Sequence, residues 1–142
     1  MKLKISTPTK IIFQGEIEKI SLPTENGNIK VMDGHPPMVT TVKPGLIKLW
    51  PMENHVKVGH EMYVSTSKGM VFIDGKIVRI VSAEATLAPE ESGSTLLQNK
   101  KNIEEKIKRL KTEGSIEEIE KALIKLEKIN ADIELKRMLQ TA

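Results

Sequence analysis

The sequence contains no cysteine, which rules out a disulfide framework, a thiolate metal site and a cysteine nucleophile. Aromatic residues are scarce, and all four (Phe13, Trp50, Tyr63 and Phe72) precede residue 73. No run approaches the ~18 apolar residues of a membrane-spanning helix. The opening Met1-Lys2-Leu3-Lys4-Ile5-Ser6 has charge where a secretory leader needs an apolar segment. A soluble chain is expected, with any membrane link running through a partner. Nor does one charge dominate: 22 basic against 19 acidic side chains leave +3. From Leu96 onward the basic residues alternate with acidic ones and no aromatic is present. Nucleic acid, which wants a one-signed stripe and stacking rings, is not an expected partner.

Catalytic signatures are missing as well. There is no phosphate-cradling Gly-x-x-x-x-Gly-Lys and no Gly-x-Ser-x-Gly elbow. The three histidines are His35, His55 and His60. His55 and His60, five apart and flanking a strand turn, do not make the i, i+4 pair of a helical zinc site. Glu104-Glu105 and Glu117-Glu118 read as solvated partners of lysines, Glu104 with Lys108 and Glu117 with Lys121. No catalytic residue, metal or cofactor is expected.

What is present divides the chain in two. All seven prolines lie at or before Pro89, whereas from Leu96 onward Gly114 is the only glycine and Lys, Glu, Ile and Leu dominate. This composition predicts a β-rich front and a helical back. In the front, Lys2-Leu3-Lys4-Ile5, Ile17-Glu18-Lys19-Ile20-Ser21-Leu22 and, less cleanly, Lys76-Ile77-Val78-Arg79-Ile80-Val81 alternate as half-buried antiparallel strands do. Turn signals at Thr7-Pro8, Gln14-Gly15, Asn26-Gly27, Asp33-Gly34, Pro44-Gly45, Ser67-Lys68-Gly69 and Asp74-Gly75 separate them. Asp74-Gly75 is the candidate for a type I′ hairpin, and Gly45 for a positive-φ turn glycine. Strands this short and this regularly punctuated predict a sandwich or flattened barrel over 1–88.

In the back, Leu96, Ile103, Ile107 and Leu110 form one helical stripe, and Ile116, Ile119, Leu123, Leu126 and Ile133 a second. Gly114 stops the first helix and Ser115-Ile116-Glu117-Glu118 caps the second. An antiparallel helical hairpin over 95–142 follows, after a linker at 89–94. Its two stripes are short, so it needs another surface, the sandwich or a partner. An element with two possible docking surfaces is suited to two-state switching. Lys121, Lys125 and Lys128 line one edge of the second helix.

The stretch Gly34-His35-Pro36-Pro37, the strand Met38–Val42, then Lys43-Pro44-Gly45 resembles an element of the epsilon subunits of F-type ATP synthases. Thr7-Pro8, Phe13-Gln14-Gly15-Glu16, Ile20-Ser21-Leu22-Pro23 and Asn26-Gly27 extend the resemblance over about half the chain. It implies a β-sandwich that joins the gamma subunit to the membrane ring of proteolipid subunits. It also implies a helical hairpin that folds on the sandwich or extends toward the catalytic alpha and beta subunits and restrains ATP hydrolysis. On that resemblance Thr7, His35 and Thr40 face gamma, Asn28 faces the ring, and Lys121, Lys125 and Lys128 meet acidic loops of the catalytic subunits. The implied location is peripheral, on the cytoplasmic face of a bacterial-type inner membrane. The chain departs from the family at Gly27-Asn28-Ile29-Lys30, where Asn28 lacks a carboxylate and Lys30 a glycine, and at Asp33, where a proline is usual. Some members carry an Ile/Leu-Asp-x-x-Arg-Ala nucleotide motif; here Ser94 stands for the Asp and Leu97 for the Arg, which implies no nucleotide site. The rival reading is a free-standing interaction module unrelated to ATP synthase.

Overall fold

The computed structural model describes residues 1–57, 59–87 and 93–141. Ten strands come first: β1 (Lys2–Ser6), β2 (Ile11–Thr24), β3 (Gly27–Met32), β4 (Met38–Val42), β5 (Gly45–Glu53), β6 (Val56–Lys57), β7 (Met62–Thr66), β8 (Gly69–Ile73), β9 (Ile77–Ser82) and β10 (Ala85–Thr86). Two helices follow, α1 (Gly93–Glu113) and α2 (Ile116–Thr141). The chain is thus the expected β-sandwich followed by a helical hairpin. Gly93 and Ser94, read from sequence as linker, belong to α1.

One strand serves both layers. The first part of β2, through Glu16, pairs with β1, while its second part pairs with β3 on one side and β5 on the other. The first sheet runs β2-β1-β9-β8-β4 and the second β3-β2-β5-β7-β10, with β6 extending β5. Between Ile17 and Lys19 the register against β5 slips. That bulge corrects the plain alternation expected for this segment: Ile17 and Ile20 are both fully buried although three residues apart. One extra residue restores the inward phase and bends the strand, so it can leave one sheet for the other.

The core between the layers is aliphatic. Leu3 and Ile5 of β1 meet Ile20 and Leu22 of β2, Ile47 and Leu49 of β5 and Val78 and Ile80 of β9, with Phe13 packing only at the margin. The β8–β9 hairpin forms, but not with a type I′ turn. Gly75 alone takes a positive φ (93°), and the Asp74 carboxylate accepts from the amides of Lys76 (3.3 Å) and Ile77 (3.0 Å) in a longer, side-chain-closed loop. The two successive left-handed residues lie instead at Asn54 and His55, in the two-residue link from β5 to β6.

Gly45 does not have the positive φ expected of it. It opens β5, and a Cβ there would lie 3.3 Å from the Pro23 ring. The tighter approach is at Gly69, where a Cβ would lie 2.3 Å from the Val81 carbonyl oxygen.

In the hairpin, the α1 stripe is present, with Leu96 and Ile107 buried. Gly114 ends the helix, its N–H donating to the Leu110 carbonyl at 2.8 Å, and the Glu118 N–H donates to Ser115 Oγ at 3.2 Å, closing the cap. The α2 stripe differs from expectation. Ile116 is 77% exposed and Leu123 is exposed, while Ala122, Lys128, Ala131 and Leu135 are buried. The reason is that α2 packs on two neighbours, α1 and the β5–β7 surface of the second sheet. Alanines let a helix approach strands closely, so the sheet-facing side of α2 carries little hydrophobic signal.

Two outcomes follow from this packing. Gly69→Ala should destabilise the chain by ~1–3 kcal/mol, and more than Gly45→Ala, in urea unfolding followed at Trp50; equal midpoints would contradict the strand contact. A fragment of residues 92–142 should be only partly helical by circular dichroism, whereas residues 1–88 fold alone.

Candidate interaction site

Strands β4, β8 and β9 of the first sheet carry an apolar patch on their outward side, whereas β1 turns Lys2 and Lys4 outward. Val39 is opposite Phe72, Met70 is opposite Val81, and Phe72 is opposite Arg79 in the strand registers. Val39, Met70, Phe72, Ile77 and Val81 are all exposed, Val39 at 61%, and lie on alternate positions that point away from the core. Arg79 reaches over the Phe72 ring, 5.8 Å from its centroid. A contiguous apolar sheet face of this kind marks a contact surface. The sequence held a signal for it: Met70–Ile73 and Ile77–Val81 are nearly continuous apolar runs, the pattern of strands covered on both sides.

The residues proposed by resemblance are distributed around this sheet. Thr7 closes the β1–β2 turn, its backbone N–H donating to the Lys10 carbonyl at 2.9 Å and its hydroxyl accepting from the Lys10 amide at 3.3 Å. His35 lies at the other end, in the loop before β4. Its backbone N–H donates to the Met32 carbonyl at 3.1 Å, and Nδ1 lies 2.7 Å from the Pro36 carbonyl, within hydrogen-bond reach. Thr40 is half-buried on the edge strand β4, on the side that points toward the core, between the outward Val39 and Thr41. Asn28 belongs to the second sheet, and its partner Pro23 accepts from the Lys43 amide just after β4. Asn28 is exposed on β3, opposite Pro23, beside a turn closed by the Thr24 hydroxyl donating to the Gly27 carbonyl at 2.6 Å.

The outward side of the second sheet mixes lysines with Trp50 and Tyr63. Lys19, Lys30 and Lys48 surround Trp50 with ammonium-to-ring distances of 4.5, 5.7 and 4.9 Å. Glu61, 3.9 Å from Lys48, has its carboxyl held below the usual range by a backbone N–H and the Tyr63 hydroxyl. His55 bonds Glu16 at 2.9 Å, and His60 is exposed in a bend.

The hairpin covers one end of this second sheet, and here the lysine edge divides. Lys121 and Lys125 are exposed, Lys121 only 3.8 Å from Glu117 in a solvated pair of little energetic weight. With Lys106, Glu84 and Glu118 they border a cleft of about 520 Å³ between hairpin and sandwich. Lys128 departs from the solvated-edge expectation. It is buried at the seam, and its ammonium donates to Asp132 at 2.7 Å, Ser65 Oγ at 3.3 Å and Thr86 Oγ1 at 3.4 Å. Ser65 in turn donates to Asp132. Sequence reasoning missed Ser65, Thr86 and Asp132; only the Lys128–Asp132 spacing of four was visible in advance.

Among the described residues no group of three or more His, Cys, Asp or Glu side chains is placed to hold a metal ion, and no described helix is long and apolar enough to cross a membrane. The features that stand out are contact surfaces: a bare apolar sheet face and a helical hairpin docked through a polar seam. That defines the class by its fold, a β-sandwich followed by a helical hairpin.

Residues 1–88 match the family model described as "ATP synthase, Delta/Epsilon chain, beta-sandwich domain", and the chain belongs to this family. It is 28% identical over 132 residues to the ATP synthase epsilon chain of Dichelobacter nodosus (strain VCS1703A), covering 91% of this chain and 89% of that one. Among solved structures, it is similar to a chain in the Euglena gracilis mitochondrial ATP synthase OSCP/F1/c-ring assembly. That likeness has a TM-score of 0.72 and 19% identity and covers 93% of this chain and 78% of the other. A chain of the Tetrahymena thermophila mitochondrial ATP synthase central stalk and c-ring matches at a TM-score of 0.48 and 17% identity, over 60% and 64%.

Nucleotide binding is testable at the same hairpin. Leu97, exposed on α1 where the motif's Arg would be, has no donor, and the lysines around the cleft lack the planar fork that grips a polyphosphate. Calorimetry with millimolar ATP should show no saturable, adenine-selective binding tighter than about 0.1 mM, or roughly −5.5 kcal/mol.

Proposed function

We propose that this chain is a non-catalytic rotor subunit of a proton-transporting F-type ATP synthase. The sandwich couples the gamma subunit to the proteolipid ring, and the hairpin restrains ATP hydrolysis by moving. The observation that supports this best is the bare apolar face of Val39, Met70, Phe72 and Val81 on a sandwich whose other sheet already carries the hairpin. A gamma subunit seated there would cover it, with Thr7 and His35 at the two ends of the face and Thr40 on its edge strand. Asn28, on the separate β2–β3 hairpin, is the contact proposed for the ring. Exposed Lys121 and Lys125 are available to acidic loops of the catalytic alpha and beta subunits at once, Lys128 only after the hairpin leaves the sandwich. In such a complex the chain would sit peripherally, on the cytoplasmic face of a bacterial-type inner membrane, reaching lipid only through its partners.

Val39→Asp and Phe72→Asp each put a charge into the proposed contact and should weaken binding to purified gamma subunit by ~10-fold or more, with unchanged unfolding midpoints. Gamma binding that survives both changes would remove this face from the interface. In an assembly of catalytic and gamma subunits, a chain lacking residues 93–142 should still bind but allow faster ATP hydrolysis than the full chain. Failure to recover gamma at all would favour a free-standing interaction module.

A further inference from the structure

The seam between α2 and β7 is built around a buried ion pair rather than an apolar patch. The side chains of Lys128 and Asp132 are only 8% and 15% exposed. An ammonium has three protons to place, and here each has an acceptor: Asp132 on the same helix, and Ser65 and Thr86 on the sandwich. Ser65 also donates to Asp132, so the hydroxyl of β7 joins both charges of the helix. Its neighbours along α2 are small or few, Ala122, Ala131 and the fully buried Leu135.

We propose that Lys128, Asp132, Ser65 and Thr86 form a latch that fixes where α2 docks and keeps that docking reversible. The physical basis is the asymmetry of buried ion pairs. Made whole, such a pair returns little more than the hydration its charges lost; broken, it leaves an uncompensated charge in the seam. In one register Lys128 meets both hydroxyls. A shift of α2 by one residue or one turn carries the ammonium away from them and strands it, so the pair specifies register in the way buried polar groups do. Complete undocking is different, because water then solvates both charges again. An apolar seam of the same size would lose its contacts on undocking with nothing to replace them. The latch therefore opposes partial slippage more than full release, and release exposes a lysine that the docked state conceals.

The inference rests on the mobile hairpin of the proposed rotor subunit but is measured on the isolated full chain. Its failure leaves the gamma-binding and hydrolysis tests standing, and theirs leaves this one standing. The measurement is native-state hydrogen exchange of the α2 amides between Lys125 and Leu135, with amides of β1 and β9 as internal reference. Asp132→Leu leaves Lys128 buried without its carboxylate and should speed α2 exchange by roughly 100-fold, with the reference amides unchanged. Lys128→Met combined with Asp132→Leu removes both charges and should return α2 exchange to the wild-type rate or below it. The proposal is overturned if Asp132→Leu exchanges like wild type, if the double variant exchanges as fast as the single one, or if the reference amides accelerate together with α2.

Discussion

The sharing of β2 between two sheets determines how the rest of the molecule can be used. The strand pairs with β1 before its bulge and with β3 and β5 after it, so each layer is built on half of the same segment. Because the bulge resets the inward phase between Ile17 and Ile20, both halves send aliphatic side chains to a common core. The outward faces are then free to differ, and they do. The first sheet turns Val39, Met70, Phe72 and Val81 outward, whereas the second turns out Lys19, Lys48 and Ser65. Without the bulge, every residue on one side of it would change faces.

The two outward faces suit contacts of different lifetime. An apolar face gains about 25 cal/mol for each Å² it removes from water, and it has no way to recover that gain once a partner leaves. The polar seam under α2 behaves otherwise. Lys128, Asp132, Ser65 and Thr86 satisfy one another when docked, and water can satisfy them when apart. The close fit of Ala122 and Ala131 brings the helix near the strands without adding much apolar area. Among the described side chains of α2, Leu135 is the one large aliphatic that is buried completely.

Much of this was legible in the residues, and what was not has identifiable causes. The β1 alternation of Leu3 and Ile5, the Gly114 stop, the Ser115 cap and the α1 stripe are local patterns, and local physics decides them. The phase change in β2 was not, because Ile17-Glu18-Lys19-Ile20 reads as alternation unless the two outward residues are counted. Asp74-Gly75 has the composition of a type I′ turn, yet the Asp74 carboxylate closes a longer loop, and the left-handed pair sits at Asn54-His55. The α2 seam was the deepest miss. Alanine and lysine carry no hydrophobic signal, and the partners that bury Lys128 lie 63 and 42 residues away. A lysine at a helix surface position is solvated unless tertiary structure supplies acceptors, and only the fold shows that it does.

The difference between the two faces suits the proposed rotor subunit, which would have to transmit torque and also regulate. Transmission needs a grip that does not let go under load, for which an apolar sheet face on a rigid sandwich is suited. Regulation needs an element whose two positions differ by little free energy, so that a change in the surroundings can shift the balance. A hairpin with short stripes, docked through a polar seam whose ion pair returns little more than the hydration it lost, is suited to that requirement. The departures at Ser94 and Leu97 bear on what would shift it. If no nucleotide is held on α1, the differential contact needed for the proposed hairpin movement would have to come from the partners it would reach, and charge is the term it can offer them. Lys121 and Lys125 present that charge in the docked state, and Lys128 adds to it only after release. Attraction to an acidic partner would then grow as the hairpin opens, which favours two discrete positions over a graded series between them.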